Sequence, residues 1–293
     1  MPNFQALPKS DSTFSLDKLV KEKDALLLKN CSHFDPALSC DCGQAFRWRC
    51  DENGRWHGIA SGHRLSFQLT DNGDVRFYDT TEEEFCAFWV AYFDLNRDYE
   101  TVCSRLKSDK ALSDAILFCP GIHILRQDPW EALCSFILSQ NNNIPRIKGI
   151  IERLCEHFGE KLAPSCFSFP SAERIASLSV TELSVLRAGF RAKYVLDAAR
   201  KVTNGTVDFL KIERSDLETG REELKKIIGV GAKVAECVLL YGFGKMQAFP
   251  VDVWVRRIMA ELYPNGLPAC VRGNEGIAQQ YLFHWKRNFQ CKD

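Results

Sequence analysis

Two glycines flanking one valine, set between two helical hydrophobic patterns, constrain this chain more than any other feature. The stretch Leu224–Ile258 reads LKKIIGVGAKVAECVLLYGFGKMQAFPVDVWVRRI. Leu224, Ile227 and Ile228 have the spacing of one helix face. Val234, Ala235, Val238 and Leu239 resume that spacing after Gly229-Val230-Gly231. The pattern predicts a helix, a tight glycine hairpin and a second helix. The second helix opens with unpaired N–H groups, which suit an anion. Glycine lets backbone approach a phosphate closely, so N–H groups around Val230, Gly231 and Val234 can hold a phosphate oxygen whatever the base. The hairpin carbonyls also offer a place for a structural monovalent cation. From the glycines alone, an ordinary helical hairpin ending on a glycine cap is the commoner source of such a pattern.

Lys233 lies in the first turn of the second helix, and Asp252 follows 19 positions later, two after Pro250. A lysine attacks only as the neutral amine, and both a helix N-terminus and burial disfavour the ammonium form. A carboxylate nearby can stabilise an oxocarbenium-like sugar as a base departs. Together with a bound phosphate, the pair suits base excision through a Schiff base. Each residue alone has a plainer reading: a solvated helix lysine, and an Asp N-cap for a helix starting at Val253.

The rest of the chain sets bounds on that chemistry. Its 293 residues allow one large domain or two smaller ones, with ample core. The 38 basic and 38 acidic residues cancel, which counts against bulk electrostatic binding of nucleic acid but not against a local basic face. Thirteen scattered cysteines argue against a disulfide scaffold and for a reducing compartment. Cys40-x-Cys42 lacks a second ligand pair, although a zinc site completed by Cys50 or His33 is a conceivable alternative. Only Cys270 and Cys291 follow the hairpin stretch, so no four-cysteine iron–sulfur cluster forms there, and no metal is expected. MPNFQALPKSDSTF carries no apolar core of a signal peptide, and no apolar run reaches membrane-spanning length. The expectation is a soluble, intracellular chain without membrane contact.

Read in order, residues 1 to about 30 are polar and expected to be weakly ordered at the start. FRWRC, RWHGI, RLSFQL and DVRFY, punctuated by Asn53-Gly54, Ser61-Gly62 and Asn72-Gly73, predict an antiparallel meander. Thr80 and Thr81, each with a Glu three residues on, predict a capped helix carrying Phe85, Phe88, Trp89 and Tyr92 inward. Helices dominate afterwards: Asp128-Pro129-Trp130-Glu131 starts one, Pro145 opens another, and a last one runs from about Asn274 to Trp285. The expected fold is α+β: an N-terminal antiparallel β-sheet module with a covering helix over 1–112, then a mostly α-helical core over 113–293 containing the helix–hairpin–helix at about 221–241.

LKKIIGVGAKVAECV with FPVDVW resembles the helix–hairpin–helix, Gly/Pro and terminal Asp signature of the DNA glycosylase superfamily. A lysine without iron–sulfur cysteines resembles one branch of it, the 8-oxoguanine DNA glycosylases. CGQAFRWR, LRQDPWEALCSFILSQNNNIPRI, GFRAKY and EGIAQQYLF are similar to the same family, in the same order and over nearly the whole chain.

The resemblance implies that Lys233 attacks the sugar C1′ with help from Asp252. It implies that the Gly43 carbonyl meets the N7–H that distinguishes 8-oxoguanine from guanine, that Gln279 reads the Watson–Crick edge of the flipped base, and that Phe283 and Cys237 sandwich it. Asn141, Arg146 and Arg191 would engage the estranged cytosine, and Phe190 would be the aromatic wedge, where the family usually has tyrosine. Without the resemblance, Phe283, Cys237 and Phe190 read as core, Gln279 and Arg146 as surface, and Asn141 as a helix terminator. Trp254 departs from the histidine that the family places against a phosphate, which puts that contact in doubt. The implied activity is a bifunctional glycosylase and abasic-site lyase needing no cofactor. It would act as a monomer on double-stranded DNA containing 8-oxoguanine, in a bacterial nucleoid or a nucleus. A glycosylase for other oxidised or alkylated bases, and a non-enzymatic helix–hairpin–helix DNA-binding protein, are the alternatives.

Overall fold

The computed structural model describes residues 14–29 and 31–289. The expectation of a weakly ordered start, and Cys291, lie outside these.

Six short strands form one antiparallel sheet: β1 Leu19–Lys21, β2 Leu26–Leu28, β3 Trp48–Cys50, β4 Trp56–Ala60, β5 His63–Leu69 and β6 Val75–Tyr78, in the spatial order β1-β2-β6-β5-β4-β3. The glycine turns place β3 to β6 where the meander was read. The first two strands were not foreseen. LVKEKDALLL is charged and too short to alternate, yet it pairs Leu26 with Phe77 and closes the sheet beyond β6. One sheet face is apolar, with Leu26, Leu28, Trp48, Leu65, Phe67, Val75 and Phe77 buried.

A helical segment covers this face: α2 Glu82–Glu84, a π turn Phe85–Trp89 and α3 Val90–Tyr92, preceded in the chain by α1 Pro36–Asp41. Thr81 alone is its N-cap, its side chain accepting from the Glu84 N–H at 3.2 Å. Thr80, expected as a second cap, instead donates its hydroxyl to the Glu84 carboxylate at 3.2 Å. Phe85, Trp89 and Phe93 are fully buried against the sheet.

A second, larger core is helical. Its elements are α4 Tyr99–Leu106, α5 Lys110–Phe118, α6 Pro129–Ser139, α7 Ile144–Phe158, α8 Ala172–Ala176, α9 Arg191–Thr203, α10 Phe209–Arg214, α11 Leu217–Lys225, α12 Ala232–Tyr241, α13 Val253–Leu262 and α14 Glu275–Phe289. A small hairpin of β7 Lys161–Ala163 and β8 Cys166–Phe167 intervenes. Helix α6 starts as its sequence predicts, with Asp128 accepting from the Glu131 N–H and Pro129 in the first turn. It is buried continuously from Trp130 to Leu138, so it lies at the centre of the helical core. Tyr99, Cys103, Leu106 and Leu112 pack in this core, as do Cys42 and Phe46 from the N-terminal part of the chain. Residue 112, the expected end of the first domain, falls inside α5.

The two cores are joined by buried polar anchoring. Gln44, with no exposure at all, donates to the carbonyls of Ser39 and His123 at 2.8 and 2.7 Å and accepts from the Leu125 N–H at 2.9 Å. This clamps the turn containing Gly43 to the segment leading into α6. No helix among the described residues is long and apolar enough to cross a membrane.

Candidate active site

The hairpin forms as read. Helix α11 ends at Lys225, Gly229 takes φ +84°, and α12 begins at Ala232 with Gly231 as its N-cap. Gly229 is required twice over: its φ is left-handed, and a Cβ there would stand 2.4 Å from the Tyr194 ring. Val230 and Val234 are buried and pin the turn to the core. Ile228 is 58 % exposed, so it does not share the inward face of Leu224 and Ile227. The helix has already ended three residues before it, and the chain turns outward.

Lys233, half-buried in the first turn of α12, directs its Nζ toward Ser139 Oγ at 3.4 Å and lies 5.1 Å from the Phe136 ring centroid. Both partners come from α6, and neither had been assigned to the site. The Ser139 hydroxyl hydrogen goes to the Phe136 carbonyl at 2.8 Å, so its oxygen faces Lys233 as an acceptor. Asp252 caps α13, accepting from the N–H groups of Trp254 and Val255 at 3.0 and 2.8 Å, both through Oδ1. Among the described residues no ion pair within 4 Å joins Lys233 to Asp252. Both act on Cys237: burial pushes its thiol up to about 11, while the Lys233 charge and hydrogen bond pull it down and the Asp252 charge pushes it up. At neutral pH Cys237 is a neutral thiol.

The helices bearing these groups are pressed together. A Cβ on Gly276 of α14 would lie 2.3 Å from Leu240 of α12. Gly276 and Gln280 of α14 thus meet Leu240 and Tyr241 of α12, and Gln279 and Phe283 lie one turn apart on the same α14. Gln279 is 4 % exposed and its buried Oε1 has no partner among the described residues, an unsatisfied acceptor that calls for a ligand or water. Gly43 arrives from the other core. Its φ is +86°, and a Cβ there would stand 3.3 Å from Phe283 Cε1. Gly43 and Phe283 are thus in contact across 240 positions of sequence.

The residues expected to meet the opposite strand form a second group. Asn141 follows the end of α6 with φ +48° and is exposed, Phe190 is 49 % exposed, and Arg146 is exposed in the first turn of α7. Arg191 is different. It is 4 % exposed and donates to three carbonyls, those of Gln140 at 2.7 Å, Asn141 at 2.7 Å and Ala188 at 3.1 Å. Its guanidinium also lies 4.5 Å from the Phe190 ring centroid. Desolvation, then the nearby Arg146 charge, hold its pKa below the ordinary arginine value. Trp254, half-buried on α13, has the Arg257 guanidinium 5.3 Å from its ring centroid.

Two family models match this chain: 8-oxoguanine DNA glycosylase, N-terminal domain, over residues 26–133, and HhH-GPD superfamily base excision DNA repair protein over residues 134–266. The N-glycosylase/DNA lyase of Saccharomyces cerevisiae is 32% identical over 282 residues, covering 86% of this chain and 72% of that protein. The chain belongs to the 8-oxoguanine DNA glycosylase family. The 8-oxoguanine glycosylase/lyase of Clostridium acetobutylicum, solved with DNA containing cytosine opposite 8-oxoguanine, is 38% identical with a TM-score of 0.86. That match covers 93% of this chain and 98% of the other. The 3-methyladenine DNA glycosylase of Archaeoglobus fulgidus shares the fold at a TM-score of 0.65 and 17% identity, with 92% of this chain covered and 98% of that one. Among the described residues no cluster of three or more metal-ligating side chains forms, and Cys40 and Cys42 are buried thiols.

Proposed function

We propose that this chain excises 8-oxoguanine opposite cytosine from duplex DNA and then cleaves the strand at the abasic site. The observation that carries the assignment is Lys233. It is a half-buried lysine at a helix N-terminus, with no carboxylate paired to it among the described residues and a neutral thiol and a hydroxyl oxygen beside it. Such an amine is free to act as a nucleophile once deprotonated. Its lone pair forms the bond to C1′ as the base departs with the glycosidic electron pair. Ring opening gives an imine, and removal of a C2′ proton expels the 3′ phosphate. Asp252, held by two N–H groups through one oxygen, has its second oxygen available to stabilise positive charge developing on the sugar.

Recognition follows from the pocket. The Gly43 carbonyl accepts from N7–H of 8-oxoguanine but opposes the N7 lone pair of guanine, a hydrogen bond for one base and a repulsion for the other. Gln279 supplies its unpartnered Oε1 to the flipped base, between Phe283 and Cys237. The α12 N-terminus and the Gly229–Gly231 turn hold a phosphate. Oxygens suit a monovalent cation there, although the Ile227 and Gly231 carbonyls already accept from Val230 and Ala235, so an ion would use their remaining lone pairs. The chain acts as a monomer on the duplex. Borohydride tests the reading: it should trap a covalent adduct with an 8-oxoguanine·cytosine duplex. Base release without an adduct would remove Lys233 from the mechanism, and binding without release from any damaged duplex would leave only a DNA-binding protein.

A further inference from the structure

The turn carrying Gly43 is held on both sides by one residue of the catalytic helix. On one side the Cys42 carbonyl accepts from Gln280 Nε2 at 2.8 Å, and Gln280 Oε1 accepts from the Tyr241 hydroxyl at 2.5 Å. On the other side the Gln44 carbonyl accepts from Gln127 Nε2 at 2.7 Å, and the Gln127 N–H donates to the Tyr241 carbonyl at 2.8 Å. Tyr241 ends α12, two turns beyond Lys233, and Gln280 follows Gln279 on α14. Gln280, Tyr241 and Gln127 are 1 %, 4 % and 8 % exposed, so these bonds form away from competing water.

Between the two held carbonyls lies that of Gly43, on which no hydrogen bond ends among the described residues. Glycine is the residue whose peptide planes turn most freely. Here its neighbours on either side are fixed, and the direction of its own carbonyl is fixed through them. Gln280 suits the task because its amide both donates and accepts: it takes the tyrosine proton at one end and gives a proton to Cys42 at the other.

We propose that Gln280 and Tyr241 are positioning residues for damage discrimination. They aim the Gly43 carbonyl, and so set the preference for 8-oxoguanine over guanine, without touching the base. The inference rests on the reading of Gly43 given above. Loosening the anchor lets the carbonyl swing away, which weakens the bond to N7–H and also relieves the repulsion against guanine. Removal of the base should suffer, whereas β-elimination at a site that has already lost its base should not.

The test uses single-turnover rates on two duplexes, 8-oxoguanine·cytosine and a preformed abasic site opposite cytosine. Gln280→Leu keeps the volume but leaves the Cys42 carbonyl and the Tyr241 hydroxyl unpaired. It should slow 8-oxoguanine release by about tenfold to a hundredfold. Tyr241→Phe, which removes one hydroxyl and keeps the ring, should slow it by roughly threefold to tenfold. Cleavage of the abasic duplex should stay within about twofold for both, which also certifies that each variant is folded. Equal losses on the two duplexes, or no loss on 8-oxoguanine, would overturn the anchor. Gly43→Ala separates this from the reading beneath it. If Gly43→Ala releases 8-oxoguanine at the parent rate, the Gly43 reading falls and the anchor with it. If Gly43→Ala is slow but Gln280→Leu and Tyr241→Phe are not, the reading stands and the anchor alone is wrong.

Discussion

The two sides of the site use their polar groups in opposite ways. Around the lysine, polar capacity is left open: among the described residues Gln279 Oε1 has no partner, Asp252 caps with one oxygen, and Lys233 makes a long hydrogen bond to Ser139 and no ion pair. Around Asn141, polar capacity is committed. Arg191 has three nitrogens on backbone carbonyls and its plane beside Phe190. Open capacity in a buried place is costly unless water or a ligand completes it, and beside the lysine it suits the substrate proposed above. Committed capacity builds a shape in advance. The difference implies that substitutions on the lysine side lose chemistry with little loss of fold, and that some on the other side lose fold first.

The largest effect tests the lysine side. Lys233→Gln should lower 8-oxoguanine release by at least about a thousandfold and abolish the borohydride adduct, with the melting temperature nearly unchanged. A stable variant that still forms the adduct would break the contrast at its strongest point.

Arg191 tests the other side. Arg191→Ala removes three guanidinium hydrogen bonds, one buried and two partly buried, and should cost about 2–4 kcal/mol in a denaturant titration. Arg146→Ala, at an exposed position with no ion pair among the described residues, should stay within about 0.5 kcal/mol. Both should narrow the preference for cytosine over adenine opposite the lesion. If Arg191→Ala proves as stable as Arg146→Ala, the carbonyl contacts are not what shapes the turn. Equal rates on the two opposite bases in the parent chain would remove cytosine reading from both residues.

These commitments explain what could be read from sequence. The hairpin was legible because it is local: glycine spacing, helical periodicity and an Asp before a helix all act within a few residues. The meander was legible for the same reason, from β3 to β6. Strands β1 and β2 were not, because each holds three residues: β2 is held by pairing with β6, nearly fifty positions away, and β1 by pairing with β2. The inward placement of Ile228 failed because periodicity does not say where a helix stops. Gly43, Gln279 and Phe283 carried no local signal, and only the family resemblance brought them forward. Ser139, Gln127, Tyr241 and Gln280 were silent even then. Their roles arise from bonds across 39 to 238 positions, which composition and spacing do not encode.

Phe190 sharpens the contrast from within the committed side. Its ring is half in solvent, packed on Tyr194 at 5.7 Å and beside Arg191 at 4.5 Å. The wedge role that the resemblance implies needs a ring both rigid and exposed, and these two neighbours suit it. Phe190→Ala should therefore slow 8-oxoguanine release by about tenfold, through loss of the kinked complex, with stability changed by less than about 1 kcal/mol. Loss of stability comparable to Arg191→Ala would make Phe190 a core residue instead.

The smallest expected effect concerns Trp254, where a neutral indole stands in place of a cationic phosphate contact. Arg257, one turn along α13, is exposed and its guanidinium lies 5.3 Å from that ring. An arginine stacked on an aromatic face keeps its donors directed outward and its charge undiminished. If it reaches a phosphate, a charge of that kind replaces what the indole lacks. Each phosphate neutralised by a cation contributes about 0.9 to the slope of log affinity against log salt. Arg257→Gln should thus reduce the slope by about one unit and weaken binding evenly across lesion and undamaged duplexes. Trp254→Phe, which keeps a face for the guanidinium, should leave the slope alone. A slope that changes with Trp254→Phe and not with Arg257→Gln would place the phosphate contact on the indole N–H.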